Sequence, residues 1–276
     1  SLTMAEGNTI FFNAGYNSRQ PYLDNIFNRN TGFITELVSP AVENENITSF
    51  EAGYRFKMNN FRANFNTYVT NWTDRTLSSF GQDDNGTPDD DTDDFDTTTL
   101  QRGITQYHSG AELDVRYRAT DWLSFKGFIS AGSWTYKGEA VVSTYNAETN
   151  EQIGETSTVN RDGIKVSTAP QFTAGMGFDA KIMSGLSIDA RIKYRDNHYE
   201  FTNENTSIED YTGAQLGSYA LTNAGITYRF SLGNSNKMTF RANMFNVFDK
   251  VAIQQTDRFG YFTTGGRTFN ASMRYE

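Results

Sequence analysis

The chain has 276 residues and a net charge of −9, with 37% hydrophobic and 14% aromatic residues. No run approaches the roughly 18 apolar residues of a transmembrane helix, which excludes a helical membrane protein, and the absence of cysteine excludes disulfides and thiolate metal sites. The negative charge argues against a nucleic-acid partner, which would bind a basic surface. A polar yet aromatic-rich composition is typical of a membrane β-barrel, where only alternate strand residues face lipid.

Alternation of apolar and polar residues is the dominant pattern along the chain, and it predicts β-strands. In residues 47–56, for example, Phe50, Ala52 and Tyr54 alternate with Glu51 and Arg55. The ten predicted strands lie near residues 9–17, 47–56, 61–80, 109–118, 122–137, 172–182, 186–195, 218–230, 237–249 and 268–276. Each can supply the about 9–11 residues of a tilted bilayer crossing.

The connections between these strands alternate in length. Short turns are predicted at 57–60, 119–121, 183–185 and 231–236, and long polar loops at 18–46, 81–104, 138–167, 200–217 and 250–267. Outer-membrane barrels have this asymmetry, because their periplasmic turns are short and their extracellular loops are long. The fold class is therefore all-β, an antiparallel transmembrane β-barrel.

The predicted faces follow from the same alternation. The lipid-facing set is Phe50, Ala52, Tyr54, Leu113, Val115, Phe172, Ala174, Met176, Ile188, Ala190, Ile192, Met238, Phe240, Ala242, Phe269, Ala271 and Met273. The charged residues between them are predicted to face the lumen: Arg55, Glu112, Asp114, Arg116, Arg191, Lys193 and Arg195. The lipid bilayer is thus the first predicted partner. The lumen charges have a plainer interpretation as solvated interior positions.

Four stretches resemble the barrels of TonB-dependent outer-membrane receptors. Residues 242–250, A-N-M-F-N-V-F-D-K, resemble their "N-[LV]-F-[DN]-K" element, and residues 266–275, G-R-T-F-N-A-S-M-R-Y, resemble their closing strand. Residues 16–21, Y-N-S-R-Q-P, resemble an "R-x-P" element, and residues 44–54 resemble "N-E-x-[IT]-x-S-[FY]-E-x-G-Y". The resemblance spans the chain and corresponds to about the last ten of the family's roughly 22 strands.

The resemblance implies that residues 1–276 are the C-terminal portion of a receptor barrel in the bacterial outer membrane, without its plug domain and N-terminal strands. Such receptors import a nutrient and use energy delivered through TonB, so the implied partners are the plug domain, TonB and a nutrient ligand such as a siderophore, glycan or peptide. A surface lipoprotein is a further candidate partner. The first residues have neither a positive segment nor an apolar run, so they are not expected to be a signal peptide, and the last residue is Glu276, where the family normally has an aromatic residue.

Aromatic residues near the loop bases are the candidate substrate-binding residues, since their rings could stack on a sugar or a siderophore. They are Trp134, Tyr136, Tyr199, Phe201, Tyr211, Tyr261 and Phe262. The competing interpretation is the aromatic girdle that marks the membrane interfaces of every barrel.

An acidic stretch at residues 83–94 resembles the Asp/Asn/Gly-rich calcium loops of surface proteins. Oxygen ligands around a turn suit Ca²⁺, which takes about six to eight of them. The candidate ligands are Asp83, Asn85, Asp89, Asp91 and Asp93. The alternative is a solvated loop whose like charges repel one another. No other cofactor is predicted.

Two other functions remain open. A stand-alone ten-stranded barrel could be an outer-membrane enzyme such as a surface protease with Asp and His at its rim, although His108 and His198 are the only histidines and lie far apart in sequence. A soluble β-rich binding domain would have to bury strand faces such as Phe50/Tyr54 and Ile188/Ile192 against a second sheet. No enzymatic activity is predicted under the receptor interpretation.

Overall fold

A computed structural model describes residues 1–26, 41–202, 206–233, 236–257 and 259–276. Parts of the predicted loops 18–46, 200–217 and 250–267 and of the predicted turn 231–236 therefore lie outside the described residues. In the described residues, no helix is long and apolar enough to cross a membrane.

The structure is built almost entirely from antiparallel strands. In chain order they are β1 (Leu2–Ala5), β2 (Asn8–Arg19), β3 (Glu45–Met58), β4 (Phe61–Asp83), β5 (Phe95–Arg118), β6 (Leu123–Lys137), β7 (Glu139–Asn146), β8 (Gln152–Asn160), β9 (Phe172–Met183), β10 (Leu186–Asp196), β11 (His198–Tyr199), β12 (Gln215–Leu216), β13 (Tyr219–Leu232), β14 (Asn236–Phe245), β15 (Ile253–Asp257), β16 (Gly260–Thr263) and β17 (Thr268–Tyr275). In the part of the chain that the structure describes, one 3-10 turn, Leu23–Asn25, follows β2.

One large sheet contains all ten predicted strands, which are confirmed as β2, β3, β4, β5, β6, β9, β10, β13, β14 and β17. Neighbours along the sheet are neighbours in sequence, apart from the loop hairpins, and β1 adds a short strand next to β2. Among the described residues, β1 and β17 are not paired with each other, so the sheet stays open. A stand-alone ten-stranded barrel would require those edges to meet.

The short turns and the long connections lie at opposite ends of the sheet, which we name the turn end and the loop end. At the turn end, Gly185 joins β9 to β10 with a φ of 79°. A side chain there would strain the backbone and collide with the carbonyl oxygen of Arg229. The glycine therefore permits the tight hairpin that the sequence predicts.

One face of the sheet is apolar across its whole width. Directly opposite residues share a face, and one such row runs Ile10, Tyr54, Phe65, Leu113, Ile129 and Ala174. The predicted lipid-facing residues all lie on this apolar face. Its side chains stay exposed in the isolated chain, with Phe50 at 59% and Met176 at 64%.

A soluble sandwich is contradicted by that exposure. Among the described residues, no second sheet covers Phe50, Tyr54 or Ile192. So much contiguous apolar surface in water would drive association. Lipid is the environment that satisfies it.

On the opposite, polar face, glycines leave room for large rings to lie flat on the sheet. Tyr68 lies across Gly110 and Gly132, where an added Cβ atom would come within 2.6 Å and 3.2 Å of its hydroxyl oxygen. Phe128 lies across Gly175 in the same way, with a Cβ–Cε1 distance of 2.5 Å. The Tyr68 and Phe128 rings therefore lie against the sheet and do not project from it.

Among the described residues, the buried hydrophobic cluster around Leu100 and Tyr145 lies at the loop end. β4 and β5 have 23 and 24 residues, so at about 3.3 Å per residue they extend far past a bilayer core of about 30 Å. The β7–β8 hairpin pairs with this extension through β5. Leu100 and Ala140 are each 1% exposed and Ile164 is fully buried.

The observed strands correct the prediction of long loops at 81–104, 138–167 and 250–267. Residues 81–83 and 95–104 belong to β4 and β5, residues 138–167 contain β7 and β8, and β15 and β16 form a separate hairpin within 250–267. The predicted strand 237–249 in turn ends at Phe245. There Asn246, at a φ of 49°, donates hydrogen bonds to the carbonyl oxygens of Lys250 at 2.9 Å and Gly265 at 2.8 Å. The N-V-F-D-K element is thus a turn that fastens the last long connection.

Candidate functional site

Trp134 lies on the polar face of β6 near the loop end. Its indole nitrogen donates a hydrogen bond of 3.0 Å to the Tyr68 hydroxyl, and its ring stacks on His108 at 5.5 Å. The side-chain amide of Gln171 holds the Trp134 backbone with bonds of 3.0 Å and 2.9 Å. Because these groups share the polar face, Trp134 does not belong to a lipid-facing girdle.

A second group of the predicted aromatics surrounds the segment 161–167, which adds to the end of β6 through a bridge from Lys165 to Thr135. The Arg161 guanidinium lies 4.2 Å from the ring centre of Tyr136. The Lys165 ammonium lies 6.0 Å from the ring centre of Tyr199. Burial raises the pKa of the nearby Tyr211 phenol above its ordinary value. Two cation–ring contacts thus lie along this edge.

The remaining three predicted aromatics lie on the next connections. The Phe201 amide donates to the Thr256 hydroxyl at 2.6 Å, which ties the β10–β13 connection to β15. Tyr261 pairs with Thr256 in the β15–β16 hairpin, and Tyr261 and Phe262 are exposed. The seven predicted aromatics therefore lie at the loop end of β6 and on the β10–β13 and β14–β17 connections, and substrate binding by them stays a prediction.

A further cluster at the loop end was missed by the sequence reasoning. Glu45 is 1% exposed and forms an ion pair of 2.8 Å with Arg19, while the Trp72 indole donates to the same carboxylate at 3.1 Å. The guanidinium groups of Arg19 and Arg75 lie 4.9 Å and 4.2 Å from the Trp72 ring centre. Arg19 and Glu45 both fall within stretches that carry the family resemblance, which was the available signal.

The seven charged residues predicted to face the lumen share the polar face. One row of partners runs Arg55, Asn64, Asp114, Phe128, Gly175 and Lys193. A second row runs Arg116, Lys126, Gly177 and Arg191, and a third runs Glu112, Ser130, Thr173 and Arg195. Residues separated by up to 140 positions in sequence, Arg55 and Arg195, are therefore part of one surface.

In the acidic connection 84–94, side chains bond to one another. Asp93 accepts hydrogen bonds from Thr87 at 2.7 Å and Asn85 at 3.0 Å, which lower the pKa of its carboxyl below the ordinary range. Asp83 accepts the Asn85 amide at 2.9 Å. Within the described parts of the chain, no group of three or more acidic or histidine side chains converges on a metal position. Calcium binding stays a prediction.

Neither histidine is arranged as a hydrolytic dyad. The Nε2 atom of His108 lies 3.2 Å from the Gln106 amide oxygen, and that of His198 lies 3.1 Å from the Ser167 carbonyl oxygen. Burial lowers the pKa of His198, and its Nδ1 atom has no hydrogen-bond partner in the described structure. These contacts hold each imidazole ring in place.

The sequence matches a family model described as TonB dependent receptor-like, beta-barrel, over residues 2–247. No functionally curated protein matches it.

Several solved structures share the fold. The ferric-catecholate import receptor Fiu from E. coli K12 aligns with a TM-score of 0.64 at 14% identity, over 99% of this chain and 33% of that one. The ferric yersiniabactin uptake receptor FyuA from Yersinia pestis gives 0.64 at 15% identity, over 98% and 35%. The copper transporter OprC gives 0.65 at 14% identity, over 98% and 37%. The chain thus spans about a third of each of these proteins.

Proposed function

Because the chain belongs to the TonB dependent receptor-like β-barrel family, we propose that it forms the C-terminal part of an outer-membrane receptor that imports a nutrient with energy delivered through TonB. The protein is a β-barrel protein of the bacterial outer membrane. The observation that carries the proposal is the two-sided sheet, whose exposed apolar face fits lipid and whose opposite face is charged. In the proposed receptor the polar face lines the lumen and the loop end is extracellular.

The aromatic and cationic groups at the loop end support nutrient capture on the extracellular side. Trp134, Tyr136, Tyr199, Phe201, Tyr211, Tyr261 and Phe262 would form the capture surface. Rings can stack on planar or sugar ligands, and the guanidinium of Arg161 beside Tyr136 adds an anion-binding group. Binding and orientation suffice for this role, and no covalent step is required.

The test is uptake by cells that produce the full-length receptor. Cells lacking the gene are supplied in turn with ferric siderophores, oligosaccharides, peptides and cobalamin as the limiting nutrient, with and without a functional TonB. We expect one nutrient to require both the receptor and TonB. Growth that needs the receptor but is indifferent to TonB would contradict the energised mechanism.

A pair of tryptophan variants locates the capture surface. Trp134→Ala is expected to weaken uptake, because it removes a ring fixed by Tyr68 and His108. Trp122→Ala is the matched control, since Trp122 lies at the turn end and is 52% exposed. Equal uptake by both variants at limiting nutrient would remove Trp134 from the capture surface.

A further inference from the structure

The β7–β8 hairpin carries an open strand edge at the loop end of the sheet. β7 pairs with β5 on one side and with β8 on the other, and in the described residues β8 pairs with β7 alone. Residues 154–158 are all exposed, without the alternation of a strand that is covered on one face. A Cβ atom added at Gly154 would meet nothing within 4 Å. The outer edge of β8 is therefore accessible along the middle of the strand.

The ladder between β7 and β8 shows which backbone groups point away from the hairpin. The Arg161 amide donates to the Gly138 carbonyl oxygen at 2.9 Å, so these two residues form a hydrogen-bonded pair next to β8. Hydrogen-bonded and non-hydrogen-bonded pairs alternate along an antiparallel ladder. Thr158 and Thr156 therefore direct their amide and carbonyl groups outward. Among the residues that the structure describes, these outward groups have no backbone partner.

The open edge is bounded at both ends. At one end the Ile208 amide donates to the Asn160 carbonyl oxygen at 2.7 Å. At the other end the Gln152 side-chain amide donates to the Gly154 carbonyl oxygen at 3.0 Å. Residues 155–159 lie between these contacts, and at about 3.3 Å per residue they form an edge of about 17 Å. An edge of this length fits a short extended peptide.

The segments around this edge are acidic and contain no basic residue. Residues 139–160 have four glutamates and residues 83–96 have eight aspartates, and neither range contains lysine or arginine. The two segments are adjacent, since the Ala147 amide donates to the Asp96 carbonyl oxygen at 2.8 Å. The open edge therefore lies in a strongly negative surface.

The cations that flank the hairpin in sequence do not balance this charge. Lys137 forms an ion pair of 3.3 Å with Asp162, and Arg161 is 2% exposed. Glu209 and Asp210, beside the other end of the edge, are exposed and add further negative charge. A cationic ligand is the one that this surface would attract.

We propose that the open edge of β8 binds an extended cationic peptide as the receptor's nutrient, by adding it as a further strand to the β7–β8 hairpin. The outward backbone groups of Thr156 and Thr158 bond to the peptide backbone, which gives affinity for an extended chain. Lysine or arginine side chains of the peptide pair with Glu151 and Glu155. The inference rests on the proposed function, because it names the class of nutrient that the loop end captures.

The charge of the hairpin decides against a second copy of this chain as the occupant. Pairing of two β8 strands would bring two equally acidic hairpins together, and like charges across a strand pair are destabilising. Acidic side chains on an edge strand discourage such self-pairing. The edge thus supplies the binding site, and its charge selects a basic peptide.

Binding of synthetic peptides to the purified full-length receptor in detergent tests the proposal. The probe is a fluorescent hexapeptide of alternating lysine and valine. A glutamate–valine hexapeptide reverses the charge, and a lysine–valine hexapeptide methylated on every amide nitrogen keeps the charge but donates no backbone hydrogen bond. We expect saturable binding of the probe, weakened by added salt, and binding of either control that is weaker by about tenfold.

Variants of β8 locate the site. Thr158→Pro removes one outward amide donor, which an edge strand tolerates because that side faces solvent, and should weaken binding about fivefold. Thr158→Ala keeps the amide and should bind as wild type does. Glu155→Lys should weaken binding about fivefold. Asp121→Lys is its matched control, since Asp121 is exposed at the turn end, and should leave binding unchanged.

Hydrogen exchange reports strand addition directly. The bound probe should protect the amides of Thr156 and Thr158, which point outward in the free receptor. Bound probe that leaves both amides unprotected would overturn the proposal, as would equal binding of the methylated peptide. Equal binding of the glutamate peptide, or no saturable binding of the probe, would overturn it as well.

Uptake separates this inference from the proposed function. A receptor that imports another nutrient through TonB but does not bind the probe refutes the inference alone. A receptor that binds the probe at β8, but whose loss changes the uptake of no nutrient tested, refutes the proposed function and leaves the peptide site in place. Growth on the lysine–valine peptide that requires both the receptor and TonB supports both.

Discussion

Two regions of the molecule treat their apolar side chains differently. The middle of the sheet leaves them exposed on one face, whereas the connections at the loop end bury them. On the sheet, Phe50 is 59% exposed and Met273 is 72% exposed, whereas Leu100 at the loop end is 1% exposed. One region depends on lipid as its surrounding solvent, and the other builds a small core against water. Apolar side chains of the same chain are therefore exposed to lipid in the middle of the strands and buried in a protein core at the loop end.

The largest expected effect comes from truncating the loop-end core. Leu100→Ala should destabilise the β4–β5 extension and the β7–β8 hairpin by about 2–5 kcal/mol, because the cavity that it leaves stays unfilled. Leu113→Ala, on the apolar face of the same strand, should cost much less since lipid chains fill the space. Hydrogen exchange of residues 95–102 and 139–146 in detergent measures the loss of stability in each variant. Equal protection in Leu100→Ala and Leu113→Ala would contradict the difference between the two regions.

The second prediction sharpens the face assignment of the sheet. Ala190→Arg on the apolar face should cost about 2–4 kcal/mol if it lies near the bilayer midplane. Ser187→Arg on the polar face of the same strand should be tolerated. Asp189→Arg is the poorer comparison, because Asp189 forms an ion pair with Arg241. Folded yield and unfolding in urea distinguish the variants, and similar losses for both would show that the faces are misassigned.

The smallest effect concerns pH at the loop end. Burial lowers the pKa of His198 in the folded chain below its ordinary value of 6.5. Packing of the neutral ring is therefore fully effective above that value, and its contribution is lost as the pH falls through the lower folded pKa. Hydrogen exchange of residues 165–168 and 197–201 should rise at acid pH relative to a His198→Gln variant. A pH response shared by the variant would remove His198 as its cause.

The sheet could be predicted from the sequence because a strand repeats its side-chain direction every second residue. This period alone assigns Phe50, Ala52 and Tyr54 to one face. The alternation of short and long connections then predicts the arrangement of the strands. The extension of β5 to Phe95 was hidden, because Thr97, Thr98 and Gln101 are polar yet buried. Hydrogen bonds such as that between the hydroxyls of Thr99 and Thr144, at 2.9 Å, satisfy such residues. Local sequence does not show a partner 45 positions away.

The candidate site likewise contains residues that the sequence predicted and residues that it did not. The charged residues of the polar face were found by alternation, since each lies next to an apolar neighbour in sequence. The Glu45 cluster was missed, because its chemistry depends on three strands and on the cation–ring stacking of Arg19 and Arg75 with Trp72. Side chains that come together only when the strands pair are not marked by a periodic pattern in the sequence.

The glycines beneath Tyr68, Trp134 and Phe128 would set the free width of the lumen in the proposed receptor. In a barrel of fixed strand number, the free cross-section depends on how far side chains project from the wall, and these rings lie flat only because Gly110, Gly132 and Gly175 carry no Cβ atom. A methyl group at any of these positions would tip a ring toward the axis. The diameter of the lumen in the proposed receptor would therefore depend partly on residues that have no side chain.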